Sequence, residues 1–490
     1  MRVPSSLPVV TDAPTPSSPW RLNRLSIMAY ATLTLVLMAL SLALVGFNGD
    51  ALMDINIGQW ILAHGRVPLH NYFTQALAGH PFSDTEWLFC VWIATAYHLG
   101  GRWGVYLSLL PYLVIVAGFV GIWTASLGPR RGLIVTVIAG FALTITMAPR
   151  PQLVSYAAFA LGLWAIQQAR HHHWLPLFLF LAIIPFWTNM HGSVVLAPAL
   201  LANEVMWGAS FPGYRWRMML AVGTATGLML CRIGGLAAGS TFFFHVFQPG
   251  VLNVIQEWQS PNFHTEPGWI LWPILFLAWA VLFPQAQRQR QWSAMVWLGL
   301  GPLVTLWAIR FAPYMVLGVV AASSEVWHSS SETLQRSVPW VGISSGLATL
   351  WLALGIYASS QPWFFAQNYP VSAFAYLRHH HATHVVTPQL WGDAAEFAGL
   401  QPWTNGQAQL WASTRWWMPF VHIQHESAAR AGAWARQWDP TARWIVWPIS
   451  GYHLWHSSWI VPHWHLVYRE HTPQGQVGVW HRLTTAAVHP

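Results

Sequence analysis

Apolar runs of roughly twenty residues, separated by short polar breaks, fill most of the chain. They fall at 25–46, 103–127, 132–149, 151–169, 174–190, 192–210, 217–232, 267–284, 292–309, 310–327 and 339–357. Each is near the length at which a helix crosses about 30 Å of hydrocarbon, so the pattern predicts about eleven transmembrane helices. A shorter apolar helix is predicted at 86–99, and the loop 233–266 reads as re-entrant, because FFFHVF and VLNVI are apolar but too short to cross. Beyond residue 358 the period changes. A helix at 369–381, a strand in THVVTP, a helix at 426–438 and strands in RWIVWPI, WHLVYRE and VGVWHRL predict a small α/β domain.

Composition agrees: 54% of residues are hydrophobic and 8% charged, against about 25% charged in an average soluble domain. The class expected is an all-α polytopic membrane bundle with a C-terminal α/β domain. Its parts are a disordered cytoplasmic N-terminus at 1–24, a membrane domain at 25–357 with an acidic first outer loop at 47–88, and an extracytoplasmic domain at 358–490. No small-residue cleavage site follows the first run, so it is read as an uncleaved helix.

All 23 basic residues are Arg, and they sit singly or in pairs between apolar runs. That is a topology signal, not a nucleic-acid stripe, despite the formal charge of +8. With eleven crossings, Arg130/Arg131, Arg170, Arg215/Arg217, Arg288/Arg290 and Arg336 share the side of the N-terminus. This places the N-terminus in the cytoplasm and the C-terminal domain outside the inner membrane. Cys90 and Cys231 lie in or beside apolar runs and form no disulfide framework.

Several charges oppose this bias. Arg66, Arg102, Arg150, Arg232 and Arg310 map to the outer ends of helices, as do Asp50, Asp54, Asp84, Glu86, Glu257 and Glu266. Four of the fifteen acidic residues lie in the block GDALMDINIGQWILAHGRVPLHNYFTQALAGHPFSDTEWL after the first run. Charge at one face of an apolar bundle costs free energy unless it is paired or used, and this layer is the candidate site.

The order of motifs is informative. GDALMDINIGQWILAHG is followed by RVPLHNYFT, GHPFSDTEWL, APRPQLVSYAAFALGLWAI, PFWTNMHGSV, IQEWQSP and RFAP, then YPVSAFAYL and LWGDAAEF in the tail. This set resembles a family of bacterial polytopic membrane proteins similar to the C-type (GT-C) glycosyltransferases, which use dolichyl- or undecaprenyl-phosphate sugars. The resemblance implies a sugar donor on a polyprenyl phosphate, an unidentified acceptor and a site at the outer face. An Asp early in the first outer loop would act as catalytic base or metal-associated carboxylate, and it corresponds to Asp50. The chain departs from the pattern at Leu52, Met53 and Asp54, where aromatics and a His are expected, at Asn71 in place of an Asp, and at Asn405-Gly406-Gln407 in place of Asp-Gly-Arg.

The candidates each carry two readings. Asp50 suits a base, or the N-cap of a helix starting at Ala51. Asp54 lies one turn further on the same face, so the pair suits either a shared divalent cation or one raised pKa. Glu86 is a third catalytic candidate, or a first-turn carboxylate complementing the helix dipole. Arg150, with no acidic neighbour in sequence, and Arg310 suit a lipid phosphate. His191 and Asn189 suit substrate contact or a hydrogen-bonded core, and Glu257 a site role or an arginine partner. The clusters at His171–His173 and His379–His381 read as surface composition, and His422, His425 and Glu426 make a poor metal set. No phosphate-loop or zinc-protease signature is present. Two other classes compete with the transferase: a non-catalytic scaffold, and a lipid-linked sugar transporter, which should show internal repeats that are absent here.

Overall fold

A computed structural model describes residues 24–82, 84–145, 147–209, 211–233, 252, 255–327, 369–411, 414–452, 454–456 and 458–482. The predicted run at 339–357, most of the re-entrant loop and the N-terminal segment fall outside the described residues. The bundle comprises α1 (Arg24–Val45), α2 (Gly49–His64), α3 (Trp87–Ala125), α4 (Pro129–Thr144), α5 (Gln152–Arg170), α6 (Leu175–Met190), α7 (Leu196–Trp207) and α8 (Tyr214–Leu228). It continues with α9, in which Glu266–Phe276 passes through a π-helical Leu277–Leu282 into Phe283–Arg288, and with α10 (Trp292–Trp307) and α11 (Ala312–Val326). Among the described residues, four helices are long and apolar enough to cross a membrane. Large apolar side chains such as Leu107, Leu175, Phe178, Trp216, Leu220 and Leu303 project from the bundle surface. Such a surface suits lipid and would be unfavourable in water, so this is a multi-pass membrane protein.

The predicted break between 86–99 and 103–127 is present as a kink in α3. Gly100 leaves the helical region (φ −148°, ψ 19°) and Gly101 takes φ 55°, a positive φ that glycine adopts without a side-chain clash. Gly58 has a different task. A Cβ there would lie 1.9 Å from the Cys90 carbonyl, so glycine permits the close crossing of α2 over α3.

Helix direction sorts the polar residues into two ends. Tyr30 at the start of α1 donates to Pro129 O at the start of α4 (2.8 Å), while Ser41 near the end of α1 donates to Thr144 O (3.2 Å). Near the ends of α3 and α5, Trp123 Nε1 donates to Gln167 Oε1 (2.7 Å). The layer of Asp50, Glu86, Arg150, His191 and Arg310 therefore occupies one end of the bundle, and Arg170 the other.

The tail holds α12 (Val371–His379), α13 (Gln389–Phe397), α14 (Ala428–Trp438) and a four-stranded sheet of β1 (Val385–Val386), β2 (Trp444–Gly451), β3 (Trp464–Thr472) and β4 (Gly475–Arg482). Strand order is β1-β2-β4-β3, with β1 parallel to β2 and the other pairs antiparallel. Alternation along β2 and β4 covers both faces. Val446, Val477 and Val479 join the core that continues into the bundle, while Ile445, Trp447 and Trp480 pack with Trp434 of α14. α13 lies on α2, where Asn56 Nδ2 donates to Asp393 O (3.2 Å) and Phe397 meets the Tyr97 ring at 5.4 Å.

Candidate functional site

The site starts from a helix cap. Asn48, not Asp50, caps α2: its Oδ1 accepts from Ala51 N at 3.2 Å, and the helix begins at Gly49. The expected capping role of Asp50 is thereby corrected. With its backbone task done by Asn48, the Asp50 carboxylate reaches Arg150 Nη2 at 2.6 Å and keeps 38% side-chain exposure. The other terminal nitrogen of Arg150 contacts Glu257. Arg150 thus joins Asp50 to Glu257, and its apparent isolation in sequence is undone by folding. Its Nε is buried without a partner.

Asp54 does not share an open face with Asp50. It is 2% exposed, turned into the seam between α2 and α3, where the Cys90 thiol lies 3.7 Å from its Oδ1 and 3.4 Å from Asp84 Oδ2. Its Oδ2 has no partner. Burial, reinforced by the charges of Glu86, Asp50 and Asp84, holds its carboxyl well above the usual range. Among the described residues no three His, Cys, Asp or Glu side chains are arranged to hold a metal ion. Asp50 is bound to Arg150, and Asp54 is enclosed with a thiol. This donor set does not fit the divalent cation weighed above.

Glu86 stands at the N-cap position of α3 but makes no side-chain cap. Its carboxyl instead lies 3.4 Å from His191 Nε2. Burial, with the nearby charges of Asp84 and Asp50 outweighing Arg310 and Arg232, pushes its pKa up to about 8. His191 is pushed down to about 3 by burial and Arg310, so both partners are neutral near pH 7. Ser193 N–H donates to His191 Nδ1 (3.4 Å), and Ser155 Oγ lies 2.7 Å from the same nitrogen. An accepting Nδ1 leaves the ring proton on Nε2, facing Glu86.

Asn189 is fully engaged in the frame. Its Nδ2 donates to Pro185 O (2.8 Å) and Cys231 O (2.7 Å), and its Oδ1 accepts from Trp87 Nε1 (2.8 Å) and Ile233 N (3.4 Å). It braces the wall that carries Glu86 and His191. Arg310 is stacked on Trp258, 4.1 Å from the ring, with no carboxylate in ion-pair range among the described residues. Its cation–π contact leaves the guanidinium edge available to a ligand.

The fold gives places to residues that the sequence left without a role in the site. Arg232 reaches Thr85 O (3.3 Å) beside Asp84 and Glu86, which brings a third arginine to the layer. Asp393 of α13 accepts Gly406 N–H on its carboxylate (3.0 and 3.1 Å) and lies against Gly49, where a Cβ would come within 2.8 Å of Oδ2. The rare acid in LWGDAAEF was its one signal. Asn71, a departure from the family pattern, explains itself. Its Nδ2 donates to Thr74 Oγ1 (2.9 Å) and Ala76 O (3.0 Å) while Oδ1 accepts from Phe73 N (3.1 Å), and an Asp could not supply those donors.

No family model matches the chain, and no curated protein matches it. Solved structures do. The oligosaccharyltransferase of Archaeoglobus fulgidus, tethered to an acceptor peptide, superposes with a TM-score of 0.50 at 12% identity, over 93% of this chain and 74% of that one. ArnT from Cupriavidus metallidurans bound to undecaprenyl phosphate gives 0.45 at 13% identity, over 95% and 99%. The arabinofuranosyltransferase AftD from Mycobacteria gives 0.42 at 13%, over 95% and 41%. The chain shares its overall fold with that oligosaccharyltransferase, and the motif order had pointed to a fold of this kind.

Proposed function

We propose that this multi-pass protein is a membrane glycosyltransferase, taking its sugar from a polyprenyl-phosphate donor at the outer face of a bacterial inner membrane. The N-terminus would then be cytoplasmic and the tail extracytoplasmic. The observation that carries the reading is a partly exposed, Arg-held carboxylate, Asp50 with Arg150, in one charged layer with Arg310 and Arg232, which have no ion pair among the described residues.

In the reaction, an acceptor hydroxyl attacks the anomeric carbon as the bond from that carbon to the phosphate oxygen breaks. Asp50 takes the hydroxyl proton, and the polyprenyl phosphate leaves with its new charge met by Arg310 and Arg232. Direct displacement inverts the anomeric centre. Arg150, already joining Asp50 and Glu257, orients the base and contributes less to the phosphate than its place in the sequence implies. Glu86, kept protonated, donates a hydrogen bond into the site, and Asp54 supports α2 from behind.

The test uses purified full-length protein supplied with a polyprenyl-phosphate sugar, following free polyprenyl phosphate. Asp50→Asn should slow its release by on the order of 10²-fold or more, the contribution of a positioned base. Near-normal release by a folded variant would defeat the assignment.

A further inference from the structure

At the opposite end of the bundle, a cavity of about 390 Å³ opens between the ends of α3, α5, α7 and α11 and the start of α10. Trp123, Arg170, Trp207, Gln291, Trp292 and Glu325 line it. Arg170 meets Glu204 through Nε (2.9 Å) and Nη2 (2.5 Å), Glu325 twice through Nη1 (2.9 Å each) and Ser293 Oγ through Nη2 (2.7 Å). All five N–H donors of the guanidinium are used. The triad of one cation and two carboxylates keeps one net negative charge.

On the wall beside the triad, Glu325 and Gln291 both leave acceptor capacity unmet. Glu325 is 23% exposed toward the cavity, and its Oε2 accepts one bond. Gln291 Oε1 is buried with no partner, while its Nε2 donates to Glu325 O (3.3 Å). An anion would meet negative charge and no free donor from Arg170. A ligand with N–H donors and positive charge would meet a carboxylate, an orphaned amide oxygen and three indoles suited to cation–π contact.

We propose that this cavity binds a primary ammonium group, from an aminophospholipid headgroup or a free amine. Exposed Arg290 at the rim supplies a cation for the phosphodiester in the lipid case.

The experiment is calorimetric titration of the full-length protein with ethanolamine and with choline, its trimethylated counterpart that lacks N–H donors. Native mass spectrometry of phosphatidylethanolamine against phosphatidylcholine retention runs in parallel. Saturable ethanolamine binding, at least about tenfold tighter than choline and weakened about tenfold by Gln291→Leu, confirms the site for free amines. Selective retention of phosphatidylethanolamine, lost in Gln291→Leu, with no response to free ethanolamine, confirms it for lipid. Glu325→Gln should act in the same direction. If that variant fails to fold, Gln291→Leu, which leaves the Arg170 triad whole, decides. No preference for the N–H-bearing probe in either arm, or an unchanged preference in folded Gln291→Leu, overturns the proposal.

Discussion

The two ends of α5 each bear an arginine that joins two carboxylates. Arg150 precedes the helix and contacts Asp50 and Glu257, while Arg170 closes it and contacts Glu204 and Glu325. Nineteen residues at 1.5 Å rise put them about 28 Å apart. Their surroundings differ. Glu204 is 1% exposed and also accepts from Tyr214 and Ser293, and every Arg170 donor is used. At the other end Asp50 is 38% exposed, Arg150 Nε is unpaired, and Arg310 and Arg232 are close by without ion pairs in the described residues. A triad whose hydrogen bonds are complete holds helices together, whereas an incomplete one leaves groups that a ligand can complete.

The largest effect that would break this comparison is on stability. Arg170→Met strands two carboxylates among packed helices and should destabilise the protein by about 3–5 kcal/mol. Arg150→Met, whose partners remain in reach of water, should cost no more than about 1 kcal/mol. Equal shifts in denaturant or thermal unfolding of the two variants would show the ends to be alike.

A smaller effect sharpens the functional side. Arg310→Gln should weaken binding of polyprenyl phosphate by about 1.5–3 kcal/mol, with Arg310→Lys recovering part of it, because a point charge replaces a planar fork. Arg170→Lys should leave that affinity unchanged if the protein folds. Lipid binding measured by native mass spectrometry checks both, and unaltered affinity in Arg310→Gln would move the phosphate elsewhere.

The smallest effect concerns Glu86. With a pKa of about 8, its carboxyl is mostly protonated at pH 7, so Glu86→Gln should keep the transfer rate within a few-fold there. The folded state holds a proton that the unfolded chain releases above its ordinary carboxyl range. The stability contributed by Glu86 is complete below that range and is lost as pH rises through about 8. Unfolding profiles between pH 5 and 9 should be flatter in Glu86→Gln than in the wild type. A collapse of activity at pH 7 in this variant would make Glu86, rather than Asp50, the base.

The sequence by itself determined the membrane class, the positions of most helices and the strands of the tail, because hydrophobic run length and alternation are properties of neighbours along the chain. It also placed the charged layer, since acids are rare enough for their clustering to stand out. Tertiary structure decided the partners. Whether Asp50 caps α2 turned on Asn48 two residues away, but whether Arg150 is solitary turned on Asp50 a hundred residues away. Asp54 became a buried acid and not half of an open pair because Gly58 lets α3 cross close enough to enclose it. Burial and charge pairing, which set pKa and ligand capacity, depend on distance through space, and periodicity along the chain carries no record of it.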